Sequence, residues 1–218
     1  MDYKKEIIKS IYSLSGSRSP YDVFSDWIKC CALSIQNNCI VKKNELWKKR
    51  EDEYLQTIRP YGKAGGMFGE MLGLLTLALE SEVTDILGEI YMAAGLGNKN
   101  TGQFFTPFHV SKVCTQLLLI EEDGNRTIKM NEPACGAGGM VIAAAAVLKE
   151  RGINYQRCLD VVAQDLDWKA VYMCYTQLSL LGIRAVVVQG DTITDPYTPE
   201  TADPRRVFYT PKKMGLLI

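Results

Sequence analysis

Apolar residues in the first hundred positions recur every three or four places, the spacing that lines up side chains along one stripe of an α-helix. Ser19-Pro20 supplies an N-cap and a proline at the first helical position, and Phe24, Trp27, Ile28, Cys31 and Ile35 follow at helical spacing. Asn44 is placed to cap a second helix through Leu46, Trp47, Tyr54 and Leu55 that stops before Pro60. Gly65-Gly66 precedes a strongly apolar helix from Met67 to Leu79, and Thr84 or Asp85 opens another that ends at Gly95. No stretch of this region alternates as a strand does. Met1 to Lys9 alternates charge with isoleucine and carries no apolar core of a leader peptide.

From Gly102 the pattern changes. Thr106-Pro107 is expected to cap a helix running to about Leu119, after which short apolar runs alternate with helical stretches. Strands are expected at Ile128 to Asn131, Leu159 to Gln164 and Ala185 to Gln189, with helices at Gly139 to Arg151 and Trp168 to Leu181 between them. That alternation predicts a parallel sheet with helices packed on it. A short fourth strand is expected at Val207-Phe208-Tyr209, beyond a proline-containing loop. The Gly- and Asn-rich stretch from Gly95 to Gln103 divides the chain into a helical region, residues 1–100, and an α/β region, residues 101–218. The apolar residues around Leu72, Leu74, Leu75 and Leu77 exceed what one helix stripe needs, which predicts a protein-binding face on the helical region.

Charge narrows the partners. Lysine plus arginine equal aspartate plus glutamate at 25 each, so no global positive field holds phosphates, and nucleic acid must be met locally or through a partner. The basic run Lys48-Lys49-Arg50 is followed at once by Glu51, Asp52 and Glu53, which reads as a solvated helix face. The seven cysteines are odd in number, show no C-x-x-C spacing and lie mostly in apolar runs, as reduced thiols of a cytoplasmic protein do. No apolar run reaches the ~18 residues of a membrane span. The lone His109 lies on a helix, and neither a Ser/His/Asp set nor a metal-ligand cluster is visible.

The strongest chemical signal is Asn131-Glu132-Pro133-Ala134-Cys135-Gly136-Ala137-Gly138-Gly139, where the first strand turns into its helix. Ligands of parallel sheets bind beyond the carboxyl ends of the strands, and glycine there lets backbone N–H groups approach them. A glycine-rich turn with no ligand is the rival reading of the glycines alone. The dinucleotide fingerprint fails, because the third glycine it needs is replaced by Val141. Asp165 ends the second strand, where a carboxylate can accept both hydroxyls of a ribose, and Leu166 offers an adenine an apolar face. Asp191 ends the third strand, placed to accept from an adenine amino group.

Gly102-Gln103-Phe104-Phe105-Thr106-Pro107, then the glycine loop, Ala-Gln-Asp-Leu-Asp and Gly-Asp-Thr, in that order, resemble the N6-adenine DNA methylase family. Within it they look most like the modification subunits of type I restriction systems. Asp85 to Tyr91 resembles the helix that precedes the Gly-Gln-Phe-Phe-Thr-Pro element in that family, so the likeness runs over about residues 84 to 195. The resemblance implies a Rossmann-like class I sheet, here truncated, and S-adenosylmethionine as cofactor. It implies that Gln103, Phe104, Phe105 and Thr106 border the methionine end, with Thr106 at its carboxylate. Glu132, Pro133, Gly136 and Gly138 would lie along the methionine and ribose, Asp165 at the ribose hydroxyls, and Leu166 and Asp191 at the adenine.

One motif of the family is missing. Its enzymes place Asn or Asp, Pro, Pro and an aromatic residue after the fourth strand, to accept from the target amino group and stack on a base taken out of the duplex. No Pro-Pro dipeptide occurs in the 218 residues, and the place expected for the motif reads Thr210-Pro211, at most a degenerate remnant. The expectation is therefore an S-adenosylmethionine-binding relative that does not methylate as a lone chain. The rivals are an active adenine-N6 methyltransferase that uses a divergent motif or a partner subunit, and a non-enzymatic mimic of a modification subunit. DNA reached through a partner, a homodimer and a restriction-system subunit are the expected partners.

Overall fold

The structure is a computed structural model that describes residues 2–96, 105–120 and 122–216. Five helices form the first part: α1 (Tyr3–Leu14), α2 (Pro20–Asn38), α3 (Glu45–Ile58), α4 (Met67–Ser81) and α5 (Ile86–Ala93). The caps expected for α2, α3 and α5 are in place. Ser19 and Asp22 make a reciprocal capping box, Asn44 Oδ1 accepts from Trp47 N at 2.9 Å, and Asp85 Oδ1 accepts from Gly88 N at 2.9 Å. Helix α1 is not legible in the sequence as a separate element. Its stripe is only Ile7 and Ile11, both fully buried, on a short helix that Asp2 caps.

The second part runs α6 (Phe108–Leu118), β1 (Ile128–Glu132), α7 (Gly139–Glu150), α8 (Tyr155–Cys158), β2 (Leu159–Asp165), α9 (Trp168–Leu180), β3 (Arg184–Gln189) and β4 (Val207–Tyr209). At the start of α6 the cap position belongs to Pro107, with no side-chain cap hydrogen bond. Thr106 stands one residue too early to cap α6.

The sheet has the order β1-β2-β3-β4. The first three strands are parallel, in the register Asn131 to Val162 and Val162 to Val186, as the alternation of elements predicts. Strand β4 is antiparallel to β3, pairing Tyr209 with Val186 and Val207 with Val188. In a doubly wound sheet the fourth strand lies beside the first, where the strand order reverses. Here β4 lies on the far side of β3, and β1 has no neighbour on its outer side among the described residues.

This topology places Thr210-Pro211. The antiparallel sense of β4 carries Thr210 to the amino end of β3, away from the carboxyl ends where ligands bind. Its side chain is fully buried and structural: Thr210 Oγ1 accepts from Ala185 N at 3.0 Å and donates to Ile183 O at 2.8 Å. The helical region then covers the outer edge of β4. Gln36 Oε1 accepts from Tyr209 N at 3.0 Å, and Arg50 donates to Val207 O at 2.9 Å while lying over the Phe208 ring. An unpaired edge strand invites other chains, and these contacts close it.

One cluster of buried apolar side chains runs from Ile7 in α1 to Phe208 in β4, so the helices and the sheet share a core. Of the leucines expected to mark an exposed face, Leu75 is buried, Leu72 and Leu74 are half-buried, and Leu77 is exposed. A more continuous exposed stripe lies on α6, at Val110, Val113, Leu117 and Leu118.

Replacing Thr210 with valine keeps the shape and removes the hydroxyl. We expect Thr210→Val to lower unfolding free energy by about 1–3 kcal/mol, because Ala185 N and Ile183 O lose a buried partner. Urea denaturation followed by circular dichroism measures it, and an unchanged midpoint would contradict the structural role.

Candidate functional site

The carboxyl ends of β1, β2 and β3 are tied to one another by short hydrogen bonds. Asp165 at the end of β2 accepts from Gly136 N at 2.8 Å through Oδ2 and from Asp167 N at 2.9 Å through Oδ1. Cys135 N donates to Gln164 O at 2.9 Å, and Gly190 N donates to Asp165 O at 2.9 Å. The Gln164 side chain, which is buried, reaches the loop beyond β3: its Nε2 donates to Asp195 O at 2.9 Å and its Oε1 accepts from Tyr197 N at 3.1 Å. A displacement of one strand end therefore strains the other two.

Two glycines of the loop adopt backbone angles that other residues avoid, with φ of 52° at Gly136 and 95° at Gly138. Both are also crowded. A methyl group on Gly136 would lie 3.0 Å from the Phe105 ring, and one on Gly138 would lie 3.2 Å from Cys174 Sγ. Helix α7 therefore starts from a bare backbone with no side-chain cap, and its first N–H groups face the loop.

A cavity of about 210 Å³ lies along this loop, lined by Asp85, Phe105, Thr106, Ser111, Gly136 and Asp165 among others. Of the residues expected at a site, the structure brings Phe105, Thr106, Gly136 and Asp165 together around it. Gly138 lies behind the loop against Cys174. Leu166, 68% exposed, and Asp191 do not line the cavity. Asp191 Oδ1 accepts from Ile193 N at 2.9 Å, and that bond holds its carboxyl below the usual carboxylate range. Glu132 and Pro133 do not line the cavity either; burial pushes the Glu132 carboxyl up. Gln103 and Phe104 lie outside the described residues. A larger cavity, about 520 Å³ between α2, α3, α9 and the start of β4, contains none of these residues.

Three residues at the site escape a sequence reading of chemistry. Gln177, on α9 and fully buried, donates to Asp85 Oδ1 and to Ala137 O, both at 2.8 Å, and accepts from Leu87 N at 3.0 Å. Asp85, legible as a helix cap and as the first residue of a family-like helix, is 4% exposed, and burial pushes its carboxyl up. Ser111 is fully buried with no hydrogen-bond partner for Oγ. Nothing local in the sequence marks a contact that spans 92 positions, as Gln177 to Asp85 does.

Residues 82–214 match the model of a family described as N-6 DNA Methylase. The chain belongs to the N-6 DNA methylase family. Every residue that lines the 210 Å³ cavity falls inside the matched segment, whereas α1 to α4 precede it. A type I restriction enzyme methylase subunit, MjaIX of Methanocaldococcus jannaschii, is 25% identical over 126 residues, a stretch that covers 56% of this chain and 22% of that protein. The chain thus spans about a fifth of the length of this curated relative. Among solved structures, a candidate class I S-adenosylmethionine-dependent methyltransferase from Listeria monocytogenes aligns with a TM-score of 0.52 at 13% identity, covering 96% of this chain and 67% of that one. The type I restriction-modification methyltransferase subunit from Streptococcus thermophilus aligns with a TM-score of 0.49 at 16% identity, covering 85% and 42%. The Listeria likeness shows the fold: a small α/β sheet of the methyltransferase type, preceded by helices.

Among the described residues the chain has no group of three side chains able to hold a metal, and no helix long and apolar enough to cross a membrane. Six of its cysteines are buried; Cys114 is exposed. His109 is exposed.

The raised Asp85 carboxyl makes a testable statement about stability. Between its ordinary and its raised pKa the folded state binds more proton than the unfolded state, so Asp85 destabilises the fold increasingly as pH rises through that window. Asp85→Asn keeps an acceptor for Gly88 N and Gln177 and removes the charge. Its melting temperature should exceed that of the parent at neutral pH, and the difference should vanish below the ordinary carboxylate range. Scanning calorimetry across pH checks this, and a variant less stable at neutral pH would contradict it.

Proposed function

We propose that this chain binds S-adenosylmethionine along the Gly136–Gly139 loop and, as a lone chain, does not methylate DNA. The observation that carries the reading is the meeting of the β1 and β2 ends on one cavity, with the Asp165 carboxylate holding the glycine loop at 2.8 Å. The site fits the cofactor: the glycine cradle would be filled by a methyl group at Gly136, and Ser111 Oγ is a buried polar atom without a partner. S-adenosylmethionine supplies an electrophilic methyl group on a sulfonium. Asp165, two of whose carboxylate lone pairs serve the backbone, keeps two more for the ribose hydroxyls. Leu166 offers its exposed side chain to the adenine, and Asp191, held ionised by Ile193 N, accepts from the adenine amino group. Thr106 and the open start of α7 receive the carboxylate of the methionine end. Gln103 and Phe104 are assigned to the same end by resemblance alone.

Methyl transfer to an exocyclic amine needs acceptors that direct the nitrogen lone pair, fixed before reaction. No Asn-Pro-Pro-aromatic run occurs in the 218 residues, and Thr210-Pro211 serves the far end of β3. Zero net charge leaves little to hold DNA or to offset the few kcal/mol that base flipping costs. We assign residues 1–100 as a helical support and 101–218 as the cofactor unit of a cytoplasmic protein of the restriction-modification type. A homodimer or a modification-subunit mimic is compatible with that assignment. The second reading, an active enzyme completed by a partner subunit, is favoured by one feature: the outer edge of β1, which no strand pairs among the described residues.

Calorimetry should give saturable binding of S-adenosylhomocysteine. Asp165→Asn should weaken it by about 10–100-fold, since a hydrogen bond to a charged acceptor is worth about 1.5–3 kcal/mol. No heat and no thermal shift at millimolar ligand would end the reading. Incubation with labelled cofactor and unmethylated genomic DNA, followed by nucleoside mass spectrometry, should detect no N6-methyladenine. Its appearance above an Asp165→Ala, Asp191→Ala control would show that another segment supplies the acceptor.

A further inference from the structure

The cavity of about 520 Å³ between α2, α3, α9 and the start of β4 has the volume of a small-ligand site, and it shares no lining residue with the cavity along the glycine loop. Helix α2 contributes Tyr21, Ser25 and Lys29 to it, α3 contributes Arg50, and α9 contributes Trp168 and Tyr172. Arg50 ends a basic run that reads as a solvated face, yet it is 5% exposed.

A buried charge is costly without a counter-charge. Each carboxylate that lines the cavity already has a cation: Asp26 has Arg18 at 3.3 Å, Glu53 has Lys29 at 2.7 Å, and Asp167 has Lys169 at 3.5 Å. Arg205, also on the wall, has Asp203 at 2.6 Å. Arg50 forms no ion pair among the described residues. Its Nη2 donates to the carbonyls of Pro204 at 3.2 Å and Val207 at 2.9 Å, and its Nε is buried with no partner. Two hydroxyls of the same cavity are also unused. Ser25 Oγ is buried without a partner, and the hydroxyl of Tyr172, a residue 7% exposed, makes no hydrogen bond among the described residues. One positive charge and three groups with hydrogens to donate call for a single anion with several lone pairs.

The walls decide the rest of the ligand. Trp168, Tyr172 and Phe208 meet ring to ring with centroids 5.4 to 6.4 Å apart, and the Arg50 guanidinium lies 4.9 Å over the Phe208 ring. Trp168 and Tyr21 are more than a third exposed, so both keep ring surface for a flat partner. A planar guanidinium suits a planar carboxylate. A phosphate monoester brings nearly two charges, and a nucleic-acid strand brings one at every nucleotide; Asp26, Glu53 and Asp167 repel the excess.

We propose that this cavity is a second ligand site, for a small aromatic carboxylate whose carboxyl group lies on Arg50, Ser25 and Tyr172 and whose ring stacks on Trp168. Its occupant bridges α2, α3 and α9, and so binds the helical region to the sheet domain. The site stands independently of the cofactor reading.

Calorimetry on the full chain with benzoate, its neutral isostere benzamide and its saturated analogue cyclohexanecarboxylate tests the site. Benzoate should bind one-to-one, at least about tenfold more tightly than benzamide, the margin of one charge-assisted hydrogen bond, and about threefold more tightly than cyclohexanecarboxylate, the margin of a ring contact. Tyr172→Phe and Ser25→Ala remove hydroxyls that the fold does not use, so each should weaken benzoate by about three- to tenfold without lowering the melting temperature. Arg50→Met keeps a stem over Phe208 and removes the charge, and should erase the preference for benzoate over benzamide; if it does not fold, the two hydroxyl variants decide. Saturating S-adenosylhomocysteine should leave benzoate affinity unchanged. No binding of benzoate at millimolar concentration, equal affinity for benzoate and benzamide, or full affinity in both hydroxyl variants would overturn the site. Competition by S-adenosylhomocysteine would overturn it as well, and so would tighter binding of a thymidine dinucleotide, whose phosphodiester also carries one charge.

Discussion

The buried amide of Gln177 is the joint on which the site depends. Its two N–H groups are spent on Asp85 and on the Ala137 carbonyl of the glycine loop, and its oxygen takes the N–H of Leu87 at the start of α5. One side chain on α9 thereby fixes the loop, the preceding helix and the orientation of a carboxylate. A buried polar network of this kind is costly when incomplete, each unpaired group at about 1–3 kcal/mol, so the three parts are held in one arrangement. Asp85 is aimed along the cavity as a consequence, because its other oxygen is committed to Gln177 and Gly88.

The same logic separates the two edges of the sheet. On the β3 side, β4 runs antiparallel and is sealed by Gln36 and Arg50 from the helical region, with Thr210 pinning its end. On the β1 side no strand pairs with the edge among the described residues, and helix α6, which packs on α7, exposes apolar side chains. In a doubly wound sheet ligands bind beyond the carboxyl ends of the strands, where the strand order reverses beside the first strand. The closed edge lies beyond β3, and the open edge belongs to the strand that leads into the glycine loop. Because of this asymmetry, cofactor binding and methyl transfer come apart in the proposed function.

Much of the fold is legible in the chain itself. Caps such as Ser19, Asn44 and Asp85 and the alternation of strand with helix are local patterns, and the elements they announce form within a residue or two of their expected ends. The family is legible too, because its motifs are contiguous. What stays hidden depends on distance. The antiparallel sense of β4 cannot be read from three residues, since Val207-Phe208-Tyr209 has the same pattern in either direction. Helix α1 hides because two buried isoleucines make a weak stripe. Thr106 reads as a cap because Thr-Pro commonly starts helices; here the proline itself occupies the cap. Gln177 and Ser111 carry no local signal, since a glutamine and a serine inside helices are ordinarily solvated or incidental.

Three strand ends and the start of α7 are proposed to build a single cofactor cradle along the glycine loop. A crystal structure of the chain grown with S-adenosylhomocysteine tests this most directly. Ribose hydroxyls should lie on Asp165, the adenine edge at Asp191 and the amino-acid end at the start of α7, beside Thr106. S-adenosylhomocysteine density in the cavity between α2, α3 and α9, or a glycine loop with no ligand along it, would contradict the cradle.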